Sequence, residues 1–249
     1  MWLEETERVL NMLSEEERLK GFVFFGGSAL SYYLQHRLSE DADLFSVDKQ
    51  LKQRTLEDIM FKIRNKGHRV ISLVTEDMTI QRDYEIDNVK TTFLAWSLNG
   101  LKTDVKPFRG SLKIASLDLL SGMKAYAFGR RSEIRDAYDL FVLFKEIGIN
   151  KVMDSASNFF GELFSKRMFI NQLNDLSQIK EGTIEDRLKP KYKVTKGEIQ
   201  SYFKKEIKEY IEKELIKSKN QHITPIEDEP DDFSKDLQSR LGKNRGWER

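Results

Sequence analysis

The chain has 249 residues, and 33% of them are charged, yet 42 basic side chains against 41 acidic ones leave a formal net charge of only +1. This excludes a global positive field as the means of holding nucleic acid, so any such contact must come from a local patch. The absence of cysteine excludes disulfides, thiolate nucleophiles and zinc ribbons, and an acidic start without any apolar run near the ~20 residues that cross a bilayer reads as a soluble, cytoplasmic protein with no membrane partner.

Residues 2–19 carry Leu3, Val9, Leu10, Met12 and Leu13 among many glutamates, which is the spacing of an amphipathic helix. Phe22-Val23-Phe24-Phe25 is a wholly apolar run ended by Gly26-Gly27, a buried strand entering a tight turn, and Ser28 is the expected N-cap of a helix reaching Leu34. A second strand is expected at 42–45, and a helix over 56–66 carries Leu56, Ile59, Met60 and Ile63. Strands follow at 69–75, 79–84, 91–97 and 101–106, and Leu98-Asn99-Gly100 predicts that the last two form a hairpin. Residues 116–165 read as helical with breaks near Gly129 and Gly148. A last helix over 197–218 repeats Ile199, Phe203, Ile207, Ile211 and Leu215 every four residues, with a mixed lysine and glutamate polar face. From residue 221 onward proline, acidic residues and glycine replace the pattern, so a disordered tail is expected. This order predicts an α/β (α+β) fold, a small mixed sheet flanked by helices and followed by a helical C-terminal region. The expected divisions are a catalytic domain over 1–112, a helical domain over 113–219 that completes the site, and a tail over 220–249.

Asp41 and Asp43 are two residues apart, so on a strand both project from one face. Paired carboxylates suit hard divalent magnesium, and two such ions stabilise the attacking and leaving oxygens of a phosphoryl transfer. Such a site normally takes a third acid, and Asp104, framed by Lys102 and Lys106 on one face of its expected strand, is the candidate. An isolated Asp-X-Asp is more often a solvated strand end. Here, however, it follows a glycine turn and a helix within twenty residues. Glycine lets backbone approach a phosphate, and the N–H groups of the next helix favour its charge, so Gly26, Gly27 and Ser28 are candidate nucleotide-binding residues.

Gly26-Gly27-Ser28-Ala29-Leu30, followed by His36-Arg37-Leu38-Ser39-Glu40-Asp41-Ala42-Asp43-Leu44-Phe45, resembles the signature of the AbiEii/AbiGii-type toxin nucleotidyltransferases of the DNA polymerase β superfamily. Leu101-Lys102-Thr103-Asp104-Val105 is similar to the strand bearing that family's third metal-binding acid, and 114–125 to a helix whose lysine, here Lys124, contacts the nucleotide. Arg131 and Arg135-Asp136-Ala137-Tyr138-Asp139-Leu140 resemble its next element, whose second acid, here Asp139, supports the site. The resemblance covers residues 1–165, with Ala42 where a larger apolar residue is usual and Ile134 where a basic one is common. It implies the minimal polymerase β-like fold, with magnesium, or manganese in its place, held by Asp41, Asp43 and Asp104. It also implies transfer of a nucleotide from a nucleoside triphosphate to an acceptor hydroxyl, in a toxin of a toxin–antitoxin or phage-defence pair with a cognate antitoxin and tRNA or other RNA as acceptor.

Plainer readings stand beside these. Lys124 shares a partly apolar stripe with Leu120 and Phe128, where it either snorkels or meets an anion. Arg135 and Asp139 are spaced as an i,i+4 surface pair. His36 reads as an ordinary polar residue or C-cap, Arg37 as an orienter of Asp41 or of a phosphate, and Phe24, Phe25, Tyr32 and Tyr33 as core. The alternatives to an RNA-directed toxin are a small-molecule (antibiotic) nucleotidyltransferase, with an acidic acceptor cleft, and a non-catalytic nucleotide-binding module.

Overall fold

Apolar runs too short for a helix build the centre of the molecule, and amphipathic helices cover it. The computed structural model describes residues 2–96, 104–130, 133–180 and 182–221. After α1 (Glu4–Ser14), the run Phe22–Phe25 forms β1 and leads directly into α2 (Gly26–Leu34). β2 (Ala42–Ser46), α3 (Gln53–Asn65), β3 (Val70–Leu73), β4 (Gln81–Ile86) and β5 (Val89–Ala95) follow, then β6 (Val105–Arg109) and β7 (Leu112–Ala115). The helical part comprises α4 (Leu117–Ala127), α5 (Ile134–Ile147), α6 (Ile149–Phe160), α7 (Lys166–Asn174) and α8 (Lys196–Gln221).

The seven strands form one mixed sheet in the order β3-β4-β5-β2-β1-β7-β6. β1 runs antiparallel to β2, with Phe25 opposite Asp43, and parallel to β7, while β2 runs parallel to β5, with Asp43 opposite Thr92. This brings the start of β2 and the start of α2 to the same place. The core runs from Val9, Leu10 and Leu13 through Phe24, Leu44, Phe45 and Phe93 to Leu140, Val142 and Phe203, all buried. α2 packs on β1, β2 and α4, so the helical part shares one core with the sheet.

Several expectations are corrected. Among the described residues the pairing expected between 91–97 and 101–106 is replaced: β5 has both edges taken, by β2 and β4, and β6 pairs with β7. The Leu98-Asn99-Gly100 turn lies outside the described residues. The tight hairpin is β4–β5, closed by Asp87 and Asn88, both at positive φ (48° and 68°), as a primed turn requires. Strand β7 was not anticipated at all. α2 begins at Gly26 instead of after a Ser28 cap. Residues 1–210 form one compact unit, in which Ile199, Phe203 and Ile207 of α8 are buried; Ile211 and Leu215, in the unit that begins at residue 211, are exposed. The expected tail beyond residue 221 lies outside the described residues.

Candidate active site

β1 is followed at once by Gly26 at φ +77°, the left-handed region that glycine enters without strain. A Cβ built there would overlap Oδ2 of Asp43, and one at Gly27 would come to 2.9 Å from Nη2 of Arg37. The backbone at the start of α2 is therefore pressed against the acidic end of β2, which no larger residue at position 26 would allow. The first N–H groups of a helix have no partner within it and carry its positive end, so this is a local place for negative charge.

Ser28 takes a different role from the cap expected of it. Its buried hydroxyl donates to the Asp41 carbonyl and sits 2.8 Å from the Ser39 hydroxyl, which ties the helix to the strand that carries the acids. Asp41 immediately precedes β2 and Asp43 lies within it, and both line one cleft of about 450 Å³. Phe25, Gly26, Gly27 and Ser28 line the same cleft, as do Arg37, Lys90, Thr92, Lys124, Arg135 and Asp136. Burial pushes the Asp41 carboxyl up, against the partial opposition of Arg135, Lys90 and Arg37.

The opposite wall is a buried ionic network. Asp139 on α5 is wholly buried and accepts two bonds from Arg37, from Nε at 2.8 Å and from Nη2 at 3.0 Å. It also receives Lys124 Nζ at 2.8 Å and His36 Nε2 at 2.8 Å. Lys124 in turn reaches Asp136 at 2.9 Å. Burial by itself would push the Asp139 carboxyl up, but Arg37, Lys124 and His36 outweigh it and hold the group well below the usual carboxylate range. Burial pulls Lys124 down, and Asp139 with Asp136 more than restores it, so its proton is held more tightly than usual. His36 goes the other way: burial lowers it despite Asp139, so it is a neutral imidazole, and its Nδ1 has no hydrogen-bond partner.

These contacts revise the plainer readings. Asp139 does not pair with Arg135 on the surface; Arg135 turns to Glu40 at 2.9 Å and Glu133 at 3.2 Å, and Asp139 faces inward. His36 is neither exposed nor a cap, the α2 C-cap being Gln35 in the left-handed region. Arg37 holds Asp139 where an orienter of Asp41 was expected, although it lines the cleft. Of the aromatic stripe, Phe24 is core, Tyr32 is partly exposed and stacks on Trp2, and Phe25 lines the cleft.

Asp104 is the expected metal ligand that the fold does not bring to the cleft, and Asp139, wholly buried, supports the cleft without lining it. Asp104 precedes β6, the edge strand, and β1 and β7 stand between that strand and β2. Three strand steps of about 4.8 Å put it on the order of 14 Å away. Among the described residues, no group of three or more His, Asp or Glu side chains is arranged to hold a metal ion. Arg131 lies outside the described residues. Sequence reasoning assigned no role to Asp136, although its i,i+3 spacing from Asp139 puts both on one face of α5. Glu40 and Lys90 carried no signal of their own.

Residues 8–106 match the family described as the nucleotidyl transferase AbiEii toxin of a type IV toxin–antitoxin system. No curated protein sequence matches the chain. Among solved structures, the chain is similar to MenT4, a nucleotidyltransferase toxin from Mycobacterium tuberculosis, at TM-score 0.51 and 13% identity, over 81% of each chain. It is also similar to JHP933 from Helicobacter pylori, at TM-score 0.43 and 16% identity, over 72% of this chain and 76% of that one. At 13% identity the likeness to MenT4 is one of fold. No helix among the described residues is long and apolar enough to cross a membrane. The glycine turn and both clefted acids fall inside residues 8–106, the stretch that matches the AbiEii nucleotidyltransferase toxin family.

Proposed function

We propose that this protein transfers a nucleoside monophosphate from a nucleoside triphosphate to an acceptor hydroxyl, with a divalent cation, magnesium or manganese, bound at Asp41 and Asp43. The observation that carries this reading is the fit of Gly26 against Asp43: the start of α2 lies directly against one carboxylate and lines one cleft with both. The donor set fits magnesium in kind, since it is hard oxygen, and in number only if phosphate oxygens and water complete the shell, which is how this ion is commonly held. When bound, the cation neutralises charge on the phosphates and lowers the pKa of the attacking hydroxyl.

The chain's own residues supply the rest. The α2 N–H groups at Gly26 and Gly27 receive the triphosphate, and Lys124, fixed by Asp136 and Asp139, presents a permanent positive charge to it. The nucleotidyl group moves from pyrophosphate to the acceptor oxygen in line; one P–O bond forms, the α–β bridge breaks, and pyrophosphate leaves. The acceptor's proton has Asp41 and Asp43 within the cleft to receive it, and Asp104 takes no part.

The acceptor we propose is the 3′ end of an RNA, tRNA first. The exposed Lys204, Lys205 and Lys208 of α8 give a local basic face, and the cleft's acids are matched by Arg37, Lys90, Lys124 and Arg135. The same reading makes the protein a cytoplasmic toxin of a phage-defence pair, restrained by a cognate antitoxin. Incubation of the pure protein with magnesium, each α-labelled nucleoside triphosphate and total RNA tests it. Label in tRNA supports the reading, label only in an added aminoglycoside replaces the acceptor, and nucleotide binding without transfer to anything refutes the chemistry.

A further inference from the structure

We infer that residues 186–192, which lie outside the stretch that matches the family, brace the loop that leads into the catalytic acids, and that Tyr138 and Arg187 are positioning residues for Asp41. The inference rests on the proposed nucleotidyl transfer for its catalytic consequence and on geometry alone for the brace.

The loop at 35–40 joins α2 to β2 and has no regular structure of its own apart from an isolated bridge between Ser39 and Trp2. One side of it is held by the chain's start: Leu3 N–H donates to the Ser39 carbonyl at 3.1 Å and the Thr6 hydroxyl to the Glu40 carbonyl at 2.7 Å. The other side is held by the brace. Leu38 N–H donates to the Leu188 carbonyl at 2.6 Å, and Lys191 N–H donates to the His36 carbonyl at 2.7 Å. The Tyr138 hydroxyl joins the two segments, accepting from Tyr192 N–H at 3.0 Å and donating to the same His36 carbonyl at 3.1 Å. Arg187 pairs with Glu40, whose other oxygen takes Arg135 at 2.9 Å.

Two residues show that this fit is imposed on the backbone. Gln35, where the loop leaves α2, has φ +48°, and Lys189, between the two brace contacts, has φ +46°. Neither is glycine, and such residues occupy the left-handed region only where surrounding contacts over-determine them. Asp41 follows this loop directly, and a nucleotidyl transfer tolerates little displacement of the groups that align it.

The test uses the full-length protein. Tyr138→Phe removes only the bridging hydroxyl, and Arg187→Ala removes an exposed arm whose loss leaves the core untouched. Lys166→Ala, which loses an exposed contact to Asp154 away from the brace, is the control. Hydrogen exchange at the Leu38 amide is expected to quicken roughly tenfold in both brace variants and not in the control. Turnover is expected to fall about tenfold with the nucleotide KM nearly unchanged, and Arg187→Lys is expected to recover most of it. Unchanged exchange or unchanged turnover in either folded variant overturns the inference, as does a parallel loss of kcat, KM and Tm or the same changes in the control. If the wild type transfers nothing to any acceptor, the proposed function fails, and the exchange measurement still decides whether the brace holds the loop.

Discussion

The two walls of the cleft are held by different forces. The glycine wall at 26–28 is steric: its shape depends on a missing Cβ, and its acids, Asp41 and Asp43, remain half-buried and open to the cleft. The lysine wall is electrostatic: Asp139 sits at the centre of four polar contacts with almost no solvent to weaken them. The difference teaches which changes each wall tolerates. The first loses a half-buried charge at smaller cost to the fold and takes an added methyl group only by displacing Asp43; the second tolerates neither the loss of its central charge nor acid.

The largest separation between the walls is expected from Asp43→Asn set beside Asp139→Ala. Asp43→Asn is expected to cut transfer by about 10³-fold and to shift the urea midpoint far less than the change at Asp139, since it neutralises a half-buried cleft carboxylate of nearly the same shape and not a wholly buried one. Asp139→Ala leaves buried Arg37 and Lys124 short of their counter-charge and is expected to cost ~3–5 kcal/mol of stability, read as a shift in the urea midpoint. If the two variants lose stability equally, the distinction between the walls is wrong.

Gly26→Ala sharpens the comparison from the steric side. It puts a Cβ on the Asp43 carboxylate at a φ of +77°, so transfer is expected to fall about 10²-fold while stability falls by only ~1–2 kcal/mol. Full activity in this variant would show that the backbone need not approach Asp43.

A pH series probes the electrostatic wall, with a smaller effect. The folded pKa of His36 lies below its ordinary value of 6.5, so the unfolded chain takes up a proton where the folded chain does not, and stability falls as pH drops below about 6.5. Asp139 is also depressed, from 3.8; its contribution is complete above that value and is lost as pH falls further, through its folded pKa. Asp41 is raised, so it acts in the opposite sense and gives a little stability back as pH falls through its folded value. Urea midpoints between pH 8 and 5 should therefore decline, and His36→Asn should flatten that decline. The smallest effect, none, is expected from Asp104→Asn on transfer, because its strand lies at the sheet's far edge.

Much of the steric wall was legible in the sequence because it is local. The run Phe22–Phe25, the glycine turn and the Asp-X-Asp pair fall within about twenty residues, and strand periodicity puts both acids on one side. The electrostatic wall was legible only in part. Lys124 and Asp139 were singled out, but the burial of Asp139 and its bonds to His36 and Arg37 join residues about a hundred positions apart, and no local spacing encodes that. The same limit explains Asp104. Its place depends on which strand pairs with which, and β5 is taken on both edges; of the expected strand 101–106 only Val105 and Lys106 fall in β6, and residues 101–103 lie outside the described residues. Short strands such as β7 give too few residues for a period to be read.

The central claim is that Asp41 and Asp43, facing the start of α2, perform nucleotidyl transfer without Asp104. Transfer from the productive α-labelled triphosphate to RNA, measured side by side for the wild type, Asp43→Asn and Asp104→Asn in magnesium, tests it most directly. Equal labelling by the wild type and Asp104→Asn, with none by Asp43→Asn, is the predicted result; loss of labelling in Asp104→Asn to the level of Asp43→Asn, in a folded protein, would contradict it.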